Sequence, residues 1–185
     1  MLKKSAFCCA FCIRFLKHIL ERVIHKMMIT LLTHARELNK STGTGKLVKA
    51  ALGDRCNIIT WSRTKPDKSL LLTLQNKTTL LLYPVNSDKQ THLLTELDWP
   101  QTQYNHFILL DSTWQEARKI YNRSPYLHTI PSYAFDVNYP SAYRLRRNQR
   151  NMGLCTAEVV LELLDRQKHV GDYNSLSELF QQHNH

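Results

Sequence analysis

Glycine is scarce in this chain, with five residues in 185, and the scarcity excludes two nucleotide-binding loops. No G-x-G-x-x-G occurs, so a dinucleotide fold has no support. Gly43-Thr44-Gly45-Lys46 lacks the four-residue spacer of an ATP-binding phosphate loop, and Leu47 stands where Ser or Thr is required. That stretch reads instead as a polar turn, Ser41 to Gly45, capping a helix. Long apolar runs are missing too. None approaches the ~18 residues of a membrane span, so no membrane partner is expected. Acidic residues are outnumbered: 15 Asp plus Glu face 25 Lys plus Arg, a formal charge of +10. Such an excess on a chain of this size points to a polyanionic partner, nucleic acid first.

Cysteine is present but makes a poor disulfide framework. The five, Cys8, Cys9, Cys12, Cys56 and Cys155, are odd in number, and three crowd the N-terminus. A reducing cytoplasm is the expected location. The N-terminus mimics a signal peptide, with Lys3 and Lys4 ahead of Ser5 to Ile13. Its apolar part is short, Arg14 and Lys17 follow at once, and no small-residue cleavage site is evident. Cys9-x-x-Cys12 has zinc-ligand spacing, but a structural zinc site needs four ligands. His18 and His25 are possible completions; reduced cysteines are the plainer alternative. Cys56 and Cys155 read as small buried hydrophobes.

The remaining chain alternates apolar runs with helical patterns. Strands are expected at Met28 to Thr33, Asn57 to Trp61, Thr78 to Tyr83 and His106 to Leu110, with a short edge strand at Tyr133 to Val137. Helices are expected at Gly45 to Leu52 with Gly53 as the stop, Lys68 to Gln75, Ser87 to Leu97, Thr113 to about Arg123, Thr156 to Arg166 and Ser175 to Gln182. Strands spaced by helices predict an α/β fold, a mostly parallel sheet with flanking helices. Residues 1–27 stand apart as a basic, cysteine-containing segment before a domain spanning 28–185.

The chemistry concentrates at Leu109-Leu-Asp-Ser-Thr-Trp-Gln-Glu-Ala-Arg118. A buried strand ends in Asp111 and passes straight into a helix N-terminus. Thr113 and Glu116 form a capping box there. A carboxylate directly after a buried strand must be hydrogen-bonded, solvated or functional, and a helix N-terminus favours its charged form. Trp114 adds a flat apolar surface, or a core anchor. Thr156 and Glu158 repeat the pattern, a polar entry to a helix after Gly153. Ser141-Ala-Tyr-Arg-Leu-Arg-Arg147 is the densest basic element, and Tyr143 interleaves an aromatic ring with Arg144, Arg146 and Arg147. That mixture suits phosphate contacts with base stacking, or a solvated loop. Arg36, Lys40 and Lys46 form a second basic group. Arg118, Lys119 and Arg123 form a third, which also complements a helix C-terminus.

These stretches resemble the DTW-domain family, whose motif Asp-x-Thr-Trp stands here as Asp111 to Trp114. Trp61-Ser-Arg-Thr-Lys-Pro, Leu82-Tyr-Pro, Arg118-Lys-Ile-Tyr-Asn-Arg-Ser-Pro-Tyr-Leu, Ser141-Ala-Tyr-Arg-Leu-Arg, Cys155-Thr-Ala-Glu-Val and Asn39-Lys-Ser-Thr-Gly-Thr-Gly-Lys-Leu are similar as well, over about residues 28–166. Within the family the chain is most similar to the bacterial tRNA-uridine aminocarboxypropyltransferases. The resemblance implies a SPOUT-like sheet with a knotted, threaded C-terminal part. It implies transfer of the 3-amino-3-carboxypropyl group of S-adenosylmethionine to N3 of a uridine in the tRNA variable loop. Asp111 would be the general base. Leu110, Ser112, Thr113, Trp114, Thr156 and Glu158 would enclose the co-substrate, and Arg36, Lys46, Tyr143, Arg144, Arg146 and Arg147 would meet tRNA. An RNA methyltransferase on the same scaffold and a non-catalytic RNA-binding module are the rival readings. Family members commonly follow their CxxC with a second cysteine pair. Here Ile19 to Glu21 replace it, which leaves Cys9 and Cys12 as an incomplete zinc set.

Overall fold

The computed structural model of the protein describes residues 27–84, 93–94, 96–97, 99, 102–145 and 153–184. Cys9, Cys12, Arg146 and Arg147 lie outside these residues. Six strands among these residues make one sheet: β1 (Met28–Thr33), β2 (Cys56–Thr60), β3 (Thr79–Leu82), β4 (Leu93–Leu94), β5 (His106–Asp111) and β6 (Ser132–Tyr133). Their order is β2-β1-β5-β3-β6-β4, and every pairing is parallel. Among the described residues five α-helices accompany it: α1 (Gly45–Leu52), α2 (Lys68–Leu74), α3 (Trp114–Asn122), α4 (Thr156–Arg166) and α5 (Val170–His183).

The apolar runs of β1, β3 and β5 are continuous because both faces of the sheet are covered. Ile29, Leu31, Leu80, Leu82, Phe107 and Leu109 face one layer, where Leu47 and Val48 of α1, Val160, Leu163 and Leu164 of α4, and Leu176 and Phe180 of α5 meet them. Leu32, Leu81 and Ile108 face the other, against Leu70 of α2, Ile120 of α3, and Leu127 and Ile130 after it. The result is a helix–sheet–helix sandwich. Burying one such side chain contributes ~1.5–3 kcal/mol, so the central strands are held mainly by these contacts.

Local signals set the element ends. Asp67 caps α2 by accepting from the N–H groups of Ser69 and Leu70. Gly53 ends α1 at φ 56°, a conformation that suits glycine. Cys56 and Cys155 are buried as expected. Burial also pushes both thiols up to about 12.

The structure corrects the sequence reading in the sheet's second half. Residues 93–94 form a strand where a helix over 87–97 was expected. β6 stops at Tyr133 and lies between β3 and β4 rather than at an edge. The chain leaves the ladder there because Phe135 turns into an aromatic cluster, 5.9 Å from Trp99 and 5.5 Å from Tyr133. α5 is longer than expected. The Arg55 guanidinium grips Asp172 near its start with two hydrogen bonds, which fixes this first turn against the β2 end.

The chain leaves β1 towards β2 on one side of the sheet and leaves β5 towards β6 on the other. The carboxyl ends of β1 and β5 therefore border a topological switch point, where parallel sheets open a crevice for ligands.

Candidate active site

Thr33 is the last residue of β1 and Asp111 the last of β5, and the register pairs them directly. Both point to the α1/α4 face. Thr33 donates its hydroxyl to Asp111 Oδ2 at 3.2 Å. Thr156, the first residue of α4, donates to Oδ1 at 2.7 Å. Gly45 opens α1 on the same carboxylate, and a Cβ at that position would overlap it. Two helix N-termini thus converge on one buried Asp, each bringing the positive end of its dipole. Asp111 is 7% exposed, so it acts first as a cross-link among β1, β5, α1 and α4. Thr44 reinforces the junction: its hydroxyl accepts from the N–H of Ala157 at 3.3 Å. The polar turn read at Ser41 to Gly45 therefore docks one helix start against another.

Beside this cross-link lies a cleft of roughly 480 Å³, counted with its open mouth. Leu82, Tyr83 and Pro84 after β3 form one wall, and Leu109, Leu110 and Ser112 at the end of β5 form the floor. Trp114 and Ala117 of α3 face Leu154, just ahead of α4, and Thr156 and Val159 of α4 across it. The walls are mostly apolar, with hydroxyls at Ser112 and Thr156 and one indole plane. Gly153 lies against the Trp114 edge, where an added Cβ would come within 2.7 Å of Nε1. A cleft with mostly apolar walls and a few convergent polar groups has the usual lining of a small-molecule site.

The structure brings together Leu110, Ser112, Trp114 and Thr156 as residues lining one cleft. It separates two others from the cleft. Thr113 serves as the N-cap of α3, accepting from the Glu116 N–H at 3.4 Å. Glu116 does not complete the capping box. Its carboxylate meets the Thr113 hydroxyl and Arg36 instead. Glu158 is turned inward: its carboxylate accepts from the N–H of Cys155 at 2.7 Å, the N–H of Ala142 at 2.7 Å and the Ser141 hydroxyl at 2.6 Å. Its role is to tie the 141–143 loop to α4, because a buried carboxylate must satisfy its oxygens locally.

The basic residues divide similarly. Tyr143 is corrected from an RNA-facing ring to a core residue, 3% exposed. It packs between Phe180 and His183, and its hydroxyl donates to the Thr42 carbonyl. Arg144 is exposed, with its backbone N–H held by Asn184 Oδ1 at 2.8 Å. Lys46 is exposed and donates to the Ser41 carbonyl. Arg36 is largely solvent-facing, with Glu116 3.7 Å away. Among the described residues no cluster of His, Cys, Asp or Glu is placed to hold a metal ion.

Several site residues escaped the sequence reading. Leu-Leu-Thr33 closes β1 as Leu-Leu-Asp111 closes β5, and that parallel was the available signal for Thr33. Gly45 carried a signal as well, a glycine opening a helix with no φ requirement. Leu154 and Val159 carried none beyond apolarity.

A family model described as the DTW domain matches residues 6–185. The chain belongs to the DTW-domain family. That family is associated with tRNA modification, and the tetrad Asp111 to Trp114 sits at the carboxyl end of β5, beside the cleft of this DTW fold. No solved structure matches the DTW chain. Among its described residues, no helix is long and apolar enough to cross a membrane.

Proposed function

We propose that this DTW protein is a tRNA-uridine aminocarboxypropyltransferase using S-adenosylmethionine. The observation that carries the reading is the cleft itself. It lies at the carboxyl edge of a parallel sheet, against the DTW tetrad, with apolar walls, an indole plane and the Thr156 hydroxyl directed at a buried carboxylate. The lining suits the nucleoside part of such a donor: the indole for a planar base, and Ser112 and Thr156 for polar groups. The formal charge of +10 suits a tRNA acceptor.

Bound there, the donor supplies an electrophilic γ-carbon and a neutral leaving group. The bond between uridine N3 and that carbon forms as the carbon–sulfur bond breaks. The sulfur keeps the electron pair and departs as methylthioadenosine. The N3 proton must leave, and Asp111 is its proposed destination. The carboxylate does not itself line the cleft, whereas Thr156 does and donates to it at 2.7 Å. The proton route we assign therefore passes through the Thr156 hydroxyl. That hydroxyl can take the N3 proton as it yields its own to Asp111. General-base assistance of this kind contributes ~10²–10⁴-fold. Product type would then depend on which carbon beside the sulfonium faces Thr156. The C-terminal threading implied by the family resemblance belongs to the same proposal.

The test is product analysis after incubating purified protein with donor and unmodified tRNA transcript. Methylthioadenosine and a heavier uridine are expected. S-adenosylhomocysteine would instead establish methyl transfer, and the absence of both products would overturn the transferase reading.

A further inference from the structure

We infer that the carboxyl edge of β1 and β2 is a base-stacking platform for single-stranded RNA, formed by His34 and Trp61 and framed by Arg36, Arg63 and Lys65. The inference rests on the reading that RNA is the acceptor, and it names a surface that this reading leaves unassigned. His34 follows β1 and Trp61 follows β2, so the parallel register places them side by side. Their ring centroids are 5.9 Å apart with planes inclined by 27°. Both residues are half-exposed.

Neither ring is loose. Trp61 Nε1 donates to the Ser124 hydroxyl at 2.9 Å, which pins the indole to the end of α3. His34 Nδ1 accepts from the Arg36 N–H at 3.2 Å, which fixes the imidazole with its proton on Nε2. Ordered aromatic planes lose little freedom when a base stacks on them, and every base has a face to offer.

Charge around the pair has one dominant sign. Arg36, Arg63 and Lys65 are all exposed. The turn carrying Arg63 and Lys65 is ordered by a bond from the Lys65 N–H to the Ser62 hydroxyl at 3.2 Å. The neighbouring acids are otherwise engaged: Asp67 caps α2, and Glu116 lies 3.7 Å from Arg36 at the α3 start. Ordered rings beside the exposed Arg63 and Lys65, with Arg36 shared with Glu116, match the chemistry of unpaired nucleotides, with planar bases on a phosphate chain.

The position adds the functional link. The Trp61 N–H donates to the Thr33 carbonyl at 2.8 Å, and the His34 N–H donates to the Asp111 carbonyl at 3.3 Å. The platform is thus joined to the site cross-link on one flank, while the cleft opens on the other. A strand crossing this edge can stack one nucleotide on His34–Trp61 and place another at the cleft.

The experiment measures binding of unmodified tRNA and of a short single-stranded RNA to the full chain at several salt concentrations. The proteins are wild type, Trp61→Phe, Trp61→Leu and Arg63→Glu, with product formation assayed in parallel. Trp61→Leu should weaken RNA binding by about five- to a hundredfold, while Trp61→Phe retains most of it. Arg63→Glu, an exposed change that leaves the core untouched, should lower the salt slope by about one. Variants that bind like wild type while product still forms would overturn the platform and leave the transferase reading standing. RNA binding that falls as expected, with a wild type that makes no aminocarboxypropyl product, would uphold the platform and overturn that reading.

Discussion

Asp111→Asn separates the structural duty of this carboxylate from its proposed chemistry. The carboxylate takes two hydroxyls, from Thr33 at 3.2 Å and Thr156 at 2.7 Å. Asparagine keeps the shape and one acceptor, and a hydroxyl facing the new amide nitrogen can rotate to accept from it. Hydrogen bonds to a charged group are worth ~1.5–3 kcal/mol and neutral ones ~0.5–1.5 kcal/mol, so exchanging the two bonds costs about 2–3 kcal/mol. Losing the negative charge at two helix starts adds ~0.3–1 kcal/mol each. The sum, about 3–5 kcal/mol, lowers the melting temperature by roughly 6–20 °C for a chain of this size. Turnover, by contrast, should fall ~10²–10⁴-fold, because an amide cannot hold the N3 proton. The assay is single-turnover formation of methylthioadenosine well below the melting point, with donor affinity measured by calorimetry. A variant destabilised as expected yet turning over within a few fold of wild type would refute Asp111 as the proton's destination. If Asp111→Asn is inactive but Thr156→Val is fully active, the carboxylate matters and the hydroxyl route is wrong.

Gly45→Ala should lower the melting temperature and turnover together, because the new methyl displaces the Asp111 carboxylate; an unchanged melt would show that α1 can yield there. Tyr143→Phe removes the bond to the Thr42 carbonyl and should cost ~1–2 kcal/mol by denaturant unfolding, with tRNA affinity unchanged. A tRNA defect without loss of stability would return that ring to the interface. Burial holds the His106 imidazole below its ordinary range. Below about pH 6.5 the unfolded chain binds a proton that the folded chain refuses, so stability falls as pH drops from there towards the folded value. Thermal melts from pH 8 to 5 should show this slope, and His106→Gln should reduce it to the share of His169 and His183, which burial also holds low. Cys56 and Cys155, each pushed up to about 12 by burial, should resist a thiol reagent until the protein unfolds.

The parts of this fold that the sequence makes legible are those governed by nearby residues. Continuous apolar runs located β1, β3 and β5, and Gly53 marked the end of α1, because both signals act within a few positions. The strand at Leu93–Leu94 was not legible, since its partner β6 is remote and contributes only Ser132 and Tyr133. The site divides on the same line. Asp111 stood out because a carboxylate at the end of a buried strand needs a reason. Its partners Thr33, Gly45 and Thr156 come from three other elements, and only the fold brings them together. Glu158 shows the converse. Its spacing from Gly153 suggested a second ligand-facing turn, but the loop returning through Ser141 and Ala142 captures the carboxylate, and nothing local foretells that return.

That return also ties the described start of the basic run, Ser141 to Arg144, to the elements that carry the site. Ser141 and Ala142 are held by Glu158 in the first turn of α4, two residues beyond Thr156. Tyr143 is anchored to the turn ahead of α1 through Thr42, and the Arg144 N–H is fixed by Asn184 just after α5. The chain therefore reaches its densest cationic stretch from a support shared with the Asp111 cross-link. Glu158→Gln would keep that support only in part, because an amide offers one acceptor oxygen where three donors now converge on two. The expected result is a weaker hold on the 141–144 segment, and with it a higher KM for tRNA at nearly constant donor affinity. Equal losses for tRNA and donor would mean that Glu158 acts by setting the whole of α4, with the cleft wall moving along with the loop.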